Sequence, residues 1–375
     1  MQLALQFAAE RCCRVEQEGA RRVRSAVSLA LGLSTLLAGC SSPIPFSPLI
    51  SSVTPSQTGT PNSIVSFGDF EFVSVQGTSQ IFTYNTSSGS QILAGTPYTT
   101  PCSDPSGMAV TTIGGKNVMA AACYDTNSLL TLTVNADGSL SALGSLSGLP
   151  MPFPGIVLDG TNVLVPLFGG ATANGAVAKV SIASPASPAI EAMVTLASPV
   201  AGGIANAEYL AIAGGYIYVT SGSESNPLGA SSTVQVVNEA TMALVGSPLV
   251  VPHSPQQIAV QGTVAYVTLF DVAALESIDI SNPAALKPLQ IVSLSATGEN
   301  CHALPVAVQG NLAYVGCYSE GVINALDVGN PSLMLPLASV FGISSPQRME
   351  IVGNFLRVTG ASTGGQVYQI HMDEF

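Results

Sequence analysis

The phrase DISNPAALKPL, Asp279 to Leu289, returns as DVGNPSLMLPL, Asp327 to Leu337, 48 residues further on. A fixed period constrains a fold severely, because each copy must bury its apolar face against its neighbours. QGTVAYVTLF (Gln261 to Phe270) and QGNLAYVGCY (Gln309 to Tyr318) align in the same register, and GGYIYVTSG (Gly214 to Gly222) and DGTNVLVPLF (Asp159 to Phe168) echo them. GGKNVMAAACY from Gly114, GDFEFVSVQG from Gly68 and GNFLRVTGA from Gly353 are fainter copies. Taking Tyr314 as the pivot, the copies are marked by Phe72, Ala120, Leu164, Tyr218, Tyr266, Tyr314 and Arg357, spaced 43 to 54 residues apart.

Within the sixth copy the units LPVAVQG, LAYVGCY, GVINALDV and LMLPLASV are short, rich in Val, Ala, Leu and Tyr, and bounded by Gly, Asn or Pro, as strands are. Four antiparallel strands per copy at this period describe a β-propeller blade. No apolar stripe of helical period interrupts them, and a β-sandwich predicts no regular repeat. With 37 Gly and 25 Pro, tight turns are expected throughout. The fold class predicted is therefore all-β, a seven-bladed β-propeller over 63–375. The seventh copy runs out of chain after three strands, and PLISSVT, Pro48 to Thr54, is predicted to supply the fourth.

The N-terminal region differs. Arg21, Arg22 and Arg24 precede an apolar run, Ala26 to Ala38, that closes in small residues, the pattern of a secretory signal. The run is shorter than the roughly 20 residues of a membrane-spanning helix. Leu37-Ala38-Gly39-Cys40 resembles the lipobox of bacterial lipoproteins, which implies removal of 1–39 and acylation of Cys40. Residues 40–62 then form a lipidated tether and the closing strand. The resemblance implies a bacterial membrane lipoprotein with its propeller facing the periplasm or the exterior; Ser41 after Cys40 leans toward the outer membrane. The body after residue 39 carries five basic and nineteen acidic residues. Without a basic cluster it is not expected to bind nucleic acid, and its membrane contact is expected through acyl chains rather than charge.

The succession of AYV, an apolar strand ending in Asp, then Asn-Pro, resembles the LVIVD repeat of bacterial propeller proteins. The second copy, DPSGMAV to CYDTNSLLTLTVNADGSL, is similar to YVTN and lactonase-type seven-bladed propellers. Read from the residues themselves, Asp279 and Asp327 end a third strand and accept backbone N–H bonds, and Asn-Pro turns the chain outward. No acidic spacing of the calcium-loop kind surrounds either Asp.

Cys102 and Cys301 precede the first strands of copies two and six, and Cys123 and Cys317 end their second strands. Those positions share one face of a blade, so the pairs Cys102–Cys123 and Cys301–Cys317 are predicted in an exported protein. The same face carries the candidate site. Loops entering first strands supply Asp104, Glu208, His253, Gln257, His302, Arg348 and Glu350, and loops after second strands supply Tyr124, Asp125, Asp271 and Glu320. Of these, His253, His302, Arg348 and Glu350 are the candidates for catalysis. No Ser-His-Asp order, G-x-S-x-G or H-E-x-x-H motif is present, and no metal or cofactor is expected. Two functions follow: a binding or scaffold protein for an unknown protein or small molecule, or a lactonase-like hydrolase with its site at the channel mouth.

Overall fold

The computed structural model describes residues 50–56, 58–102, 104–170, 173–199, 203–222, 232–294, 301–362 and 364–372. The signal segment, Cys40 and the tether up to Phe46 lie outside the described residues. Among the described residues, no helix is long and apolar enough to cross a membrane.

Seven antiparallel sheets succeed one another along the chain. In blade five, Pro255–Gln261, Val264–Leu269, Ala274–Asp279 and Lys287–Ser293 pair in order from inside to outside. Blade six repeats this with Ala303–Gln309, Leu312–Cys317, Val322–Asp327 and Leu335–Phe341. Blade one departs slightly, its outer strand being split into Ile92–Leu93 and Tyr98–Thr99. Blade seven has only three strands of its own. Its outer place is taken by Ile50–Val53, antiparallel to Val367–His371 with Ser52 opposite Tyr368. The two ends of the chain thus close the ring within one sheet, and sheet closure of this kind protects edges that would otherwise seek foreign strands.

The first and second strands of each blade meet in a tight turn headed by glycine. Gly262 and Gly310 sit there at φ +61 and +60, a left-handed backbone that a side chain would strain. The strands themselves bury both faces, because each sheet packs between two others. Seven apolar clusters result, each shared by adjacent blades. The seven pivot residues all lie in these interfaces, none more than 3% exposed.

The repeated phrase acquires a physical reason at the blade interface. The Tyr218 hydroxyl reaches the carbonyl of Ile280, and that of Tyr266 the carbonyl of Val328, each in the following blade. Ile280 and Val328 directly follow Asp279 and Asp327, whose carboxylates accept the N–H of Ser281 and Gly329, both at 2.8 Å. Asn282 and Asn330 fix the next residues of the same turns in the same way. The tyrosine of one copy is therefore anchored on the acidic turn of the next.

Arg357 is the exception among the pivots, a cation where the other copies have apolar side chains. It donates to Glu71 of blade one at 2.7 Å, and both side chains are almost fully buried. Gln91 also donates to Glu71, and Gln369 to the Gly89 carbonyl. The seam between first and last blades is thus held by a polar network.

Candidate functional site at the channel mouth

Six of the seven first strands open with one extra residue relative to the partner strand. The extra residue follows a proline in four of them, as Pro61-Asn62, Pro105-Ser106, Pro255-Gln256 and Pro346-Gln347. Proline is tolerated at the first position of a strand, and a bulge re-aims the side chain next to it. Asn62, Ser106, Gln256 and Gln347 accordingly line a single open cavity of about 850 Å³, together with Leu304 from the bulge of blade six.

Hydroxyl groups on the second strands hold these bulges in place. Ser74, Thr220, Thr268 and Thr359 accept the N–H of Ser63, Tyr209, Gln257 and Arg348, all between 3.0 and 3.1 Å. Thr220 also donates to the Gln256 carbonyl at 2.6 Å, and Thr268 to the Leu304 carbonyl at 2.9 Å. Each hydroxyl satisfies its own bulge, and those of Thr220 and Thr268 also grip the bulge of the next blade.

The floor of the cavity is built across the propeller axis. Arg348, from blade seven, places its guanidinium carbon 4.5 Å from the ring centre of Tyr209 in blade four. Those blades face one another across the ring. Gln257, from blade five, donates to the Gln347 carbonyl of blade seven at 2.7 Å. Burial holds the Tyr209 hydroxyl above its ordinary pKa, with the Arg348 charge acting in the opposite direction. Around this floor stand Tyr124, Phe153, Phe270 and Tyr318. Phe153 stacks on Phe168 at 5.2 Å and meets Tyr209 edge-on at 6.0 Å, which fixes its ring.

At the rim, Asp104 accepts from Asn62 at 3.3 Å and from Gln76 at 3.1 Å. Burial and the neighbouring Asp125 nonetheless raise its pKa. Asp125 itself accepts the Asp104 N–H at 3.3 Å. Disulfides flank this rim. Cys102 pairs with Cys123 at a Cα separation of 5.9 Å, and Cys301 with Cys317 at 4.5 Å.

Of the residues singled out in the sequence, Asp104, Tyr124, Asp271 and Arg348 line the cavity. Gln257 lies beneath it as the cross-axis bridge. His302 stacks on Phe270 at 4.5 Å and hydrogen-bonds Ser319, outside the lining. His253 does not line it either, and Glu320 is exposed beyond the rim. Glu208 occupies the bulge of blade four, and its buried side chain lies against Gly222. Glu350 lies lower in the wall, where its carboxylate accepts both the Oγ at 2.5 Å and the N–H of Ser66 in blade one. The structure does not bring the four catalytic candidates together. Among the lining residues that the sequence reading missed, Asn62, Ser106, Gln256 and Gln347 share one available signal, a proline followed by a polar residue at the head of the copy, whereas Phe153, Tyr209, Phe270 and Tyr318 do not. Among the described residues, no cluster of His, Cys, Asp and Glu has the geometry of a metal site.

Residues 254–292 and 301–340 match the LVIVD repeat. The chain carries LVIVD repeats. No curated protein matches the sequence. Among solved structures, hydrazine synthase of Kuenenia stuttgartiensis is similar with a TM-score of 0.67 at 13% identity, covering 85% of this chain and 97% of that one. Virginiamycin B lyase of Staphylococcus aureus gives 0.63 at 10% identity, with 86% and 98% covered. BamB of Moraxella catarrhalis gives 0.55 at 10% identity, with 84% and 82% covered. At such identities the likeness is one of fold.

Proposed function

We propose that the protein is a lipid-anchored, exported binding protein that presents the propeller mouth to a small ligand. The observation that carries this reading is the composition of the cavity: side-chain amides aimed inward by bulges, a wall of aromatic rings and a guanidinium floor. These are groups that recognise rather than react. A lactonase-like hydrolase needs a base or metal against its substrate, whereas His253 and His302 stand away from the lining. The Ser106 hydroxyl in the lining is engaged with the carbonyls of Ala122 and Pro152. Attachment through Cys40 rests on the lipobox resemblance alone.

The test is purification of the full-length protein from membranes, with mass spectrometry of what it retains. A small molecule should accompany the wild type and be lost from Gln256→Trp, which fills the mouth. Retention by that variant, or an empty wild type, would contradict the reading. Turnover of lactones that disappears in His253→Ala/His302→Ala would instead favour the hydrolase. Cys40→Ala should move the protein out of the membrane fraction.

A further inference from the structure

The floor of the mouth carries polar atoms with nothing to bond. Arg348 is only 8% exposed. Its Nη1 donates to the Gln347 carbonyl at 3.1 Å, but its Nε is buried without a partner. The buried ion pair seen at the seam, Arg357–Glu71, has no counterpart seen at Arg348 among the described residues. A buried guanidinium compensated by the ring and hydroxyl of Tyr209 and one carbonyl, all of them uncharged, is costly, since desolvated charge is normally paired. Two acceptors in the same lining are also unmet: Asn62 Oδ1 and Gln347 Oε1 are buried without donors. Buried polar groups are almost always satisfied, and three exceptions in residues that line one cavity point to a missing partner that draws them out.

The unmet atoms define that partner. The guanidinium presents a planar edge that fits a carboxylate. The amide oxygens call for hydroxyl or N–H donors. Phe153, Tyr209, Phe270 and Tyr318 offer ring faces and edges to a flat body. A dianion such as a phosphate monoester fits poorly, because Arg348 is the sole cation in the lining and Asp104 and Asp271 share the rim. We propose that the mouth binds a small hydroxylated monocarboxylate with a flat body, its carboxylate seated on Arg348 at the propeller axis and its donors on Asn62 and Gln347. This rests on the reading of the mouth as a ligand site and specifies what that site selects.

The experiment compares two probes of equal shape, 4-hydroxyphenylacetate and its neutral twin 4-hydroxyphenylacetamide, by calorimetry on the full-length protein. The acid should bind at least about tenfold more tightly than the amide, the scale of one charge-assisted contact. In Arg348→Gln the two should bind alike, while Arg348→Lys should keep a preference for the acid. Equal binding of both twins to the wild type would overturn the proposal without requiring any variant to fold. So would a preference that survives Arg348→Gln, or tighter binding of phenyl phosphate than of the acid. If neither twin binds while a different molecule is retained from membranes in a mouth-dependent way, the carboxylate proposal falls and the mouth remains a ligand site. If nothing is retained either, both fall.

Discussion

At the scale of single residues, buried charge distinguishes this propeller from a uniform stack of apolar strands. Glu276, 2% exposed on the third strand of blade five, has its pKa raised to about 7 by burial alone. A carboxyl held protonated in the fold but released in the unfolded chain stabilises the protein below pH ~4.5, and that contribution fades as pH rises through about 7. Glu276→Gln should therefore change little at pH 4.5 and raise stability at pH 8 by on the order of 2–3 kcal/mol, read as the difference between the two pH–denaturation curves. Arg357→Met should act in the opposite direction. It leaves Glu71 buried opposite no cation, and losing one partner of a buried pair costs about 3–5 kcal/mol. Glu71→Gln in the same chain should recover part of that loss. The period made the burial of position 357 legible in the sequence but gave no account of its charge. Its partner lies in the first copy, and a repeat read copy by copy does not pair the first with the last.

At the scale of elements, the bulge at the head of six first strands does most to shape the site. Strand order, the donated Ile50–Val53 strand and both disulfides follow from counting copies and aligning them. The bulges do not, because a single inserted residue shifts inward and outward positions without disturbing a period of some 48 residues. The mouth was consequently half legible. Asp104, Tyr124, Asp271 and Arg348 were visible as charged or aromatic loop residues, whereas Asn62, Gln256 and Gln347 look like ordinary strand residues until the bulge re-aims them. The hydroxyl behind the bulge is the element's lock in blades one, four, five and seven. Thr268→Val keeps the shape while leaving the Gln257 N–H and the Leu304 carbonyl without their shared hydroxyl. A loss of about 1–3 kcal/mol is expected from the unmet groups, together with faster amide exchange at Gln257. Unchanged exchange there would mean that packing alone holds the bulge.

At the scale of the whole molecule, the ring is held by two kinds of closure acting at different places. The seam between blades one and seven is closed by Ile50–Val53 and by the Arg357–Glu71 network. The disulfides instead brace the mouth, each tying the entry to a first strand to the end of the second strand in blades two and six. They span sequence separations of 21 and 16 residues, so each should stabilise by about 3 kcal/mol on chain-entropy grounds. Their positions bear on function as well as on stability. Blade six supplies Leu304 and Tyr318, and blade two supplies Ser106 and Tyr124, so the two braces hold opposite sectors of one cavity. Replacing all four cysteines by alanine should therefore lower the melting temperature and loosen the mouth selectively. Amide exchange should quicken around residues 102–106 and 302–306, while the strands of blade four, which no disulfide touches, keep their relative protection. Peptide maps of the unreduced wild type should recover Cys102 only with Cys123 and Cys301 only with Cys317. A Cys102–Cys301 link would overturn the alignment of copies that places each pair within a single blade.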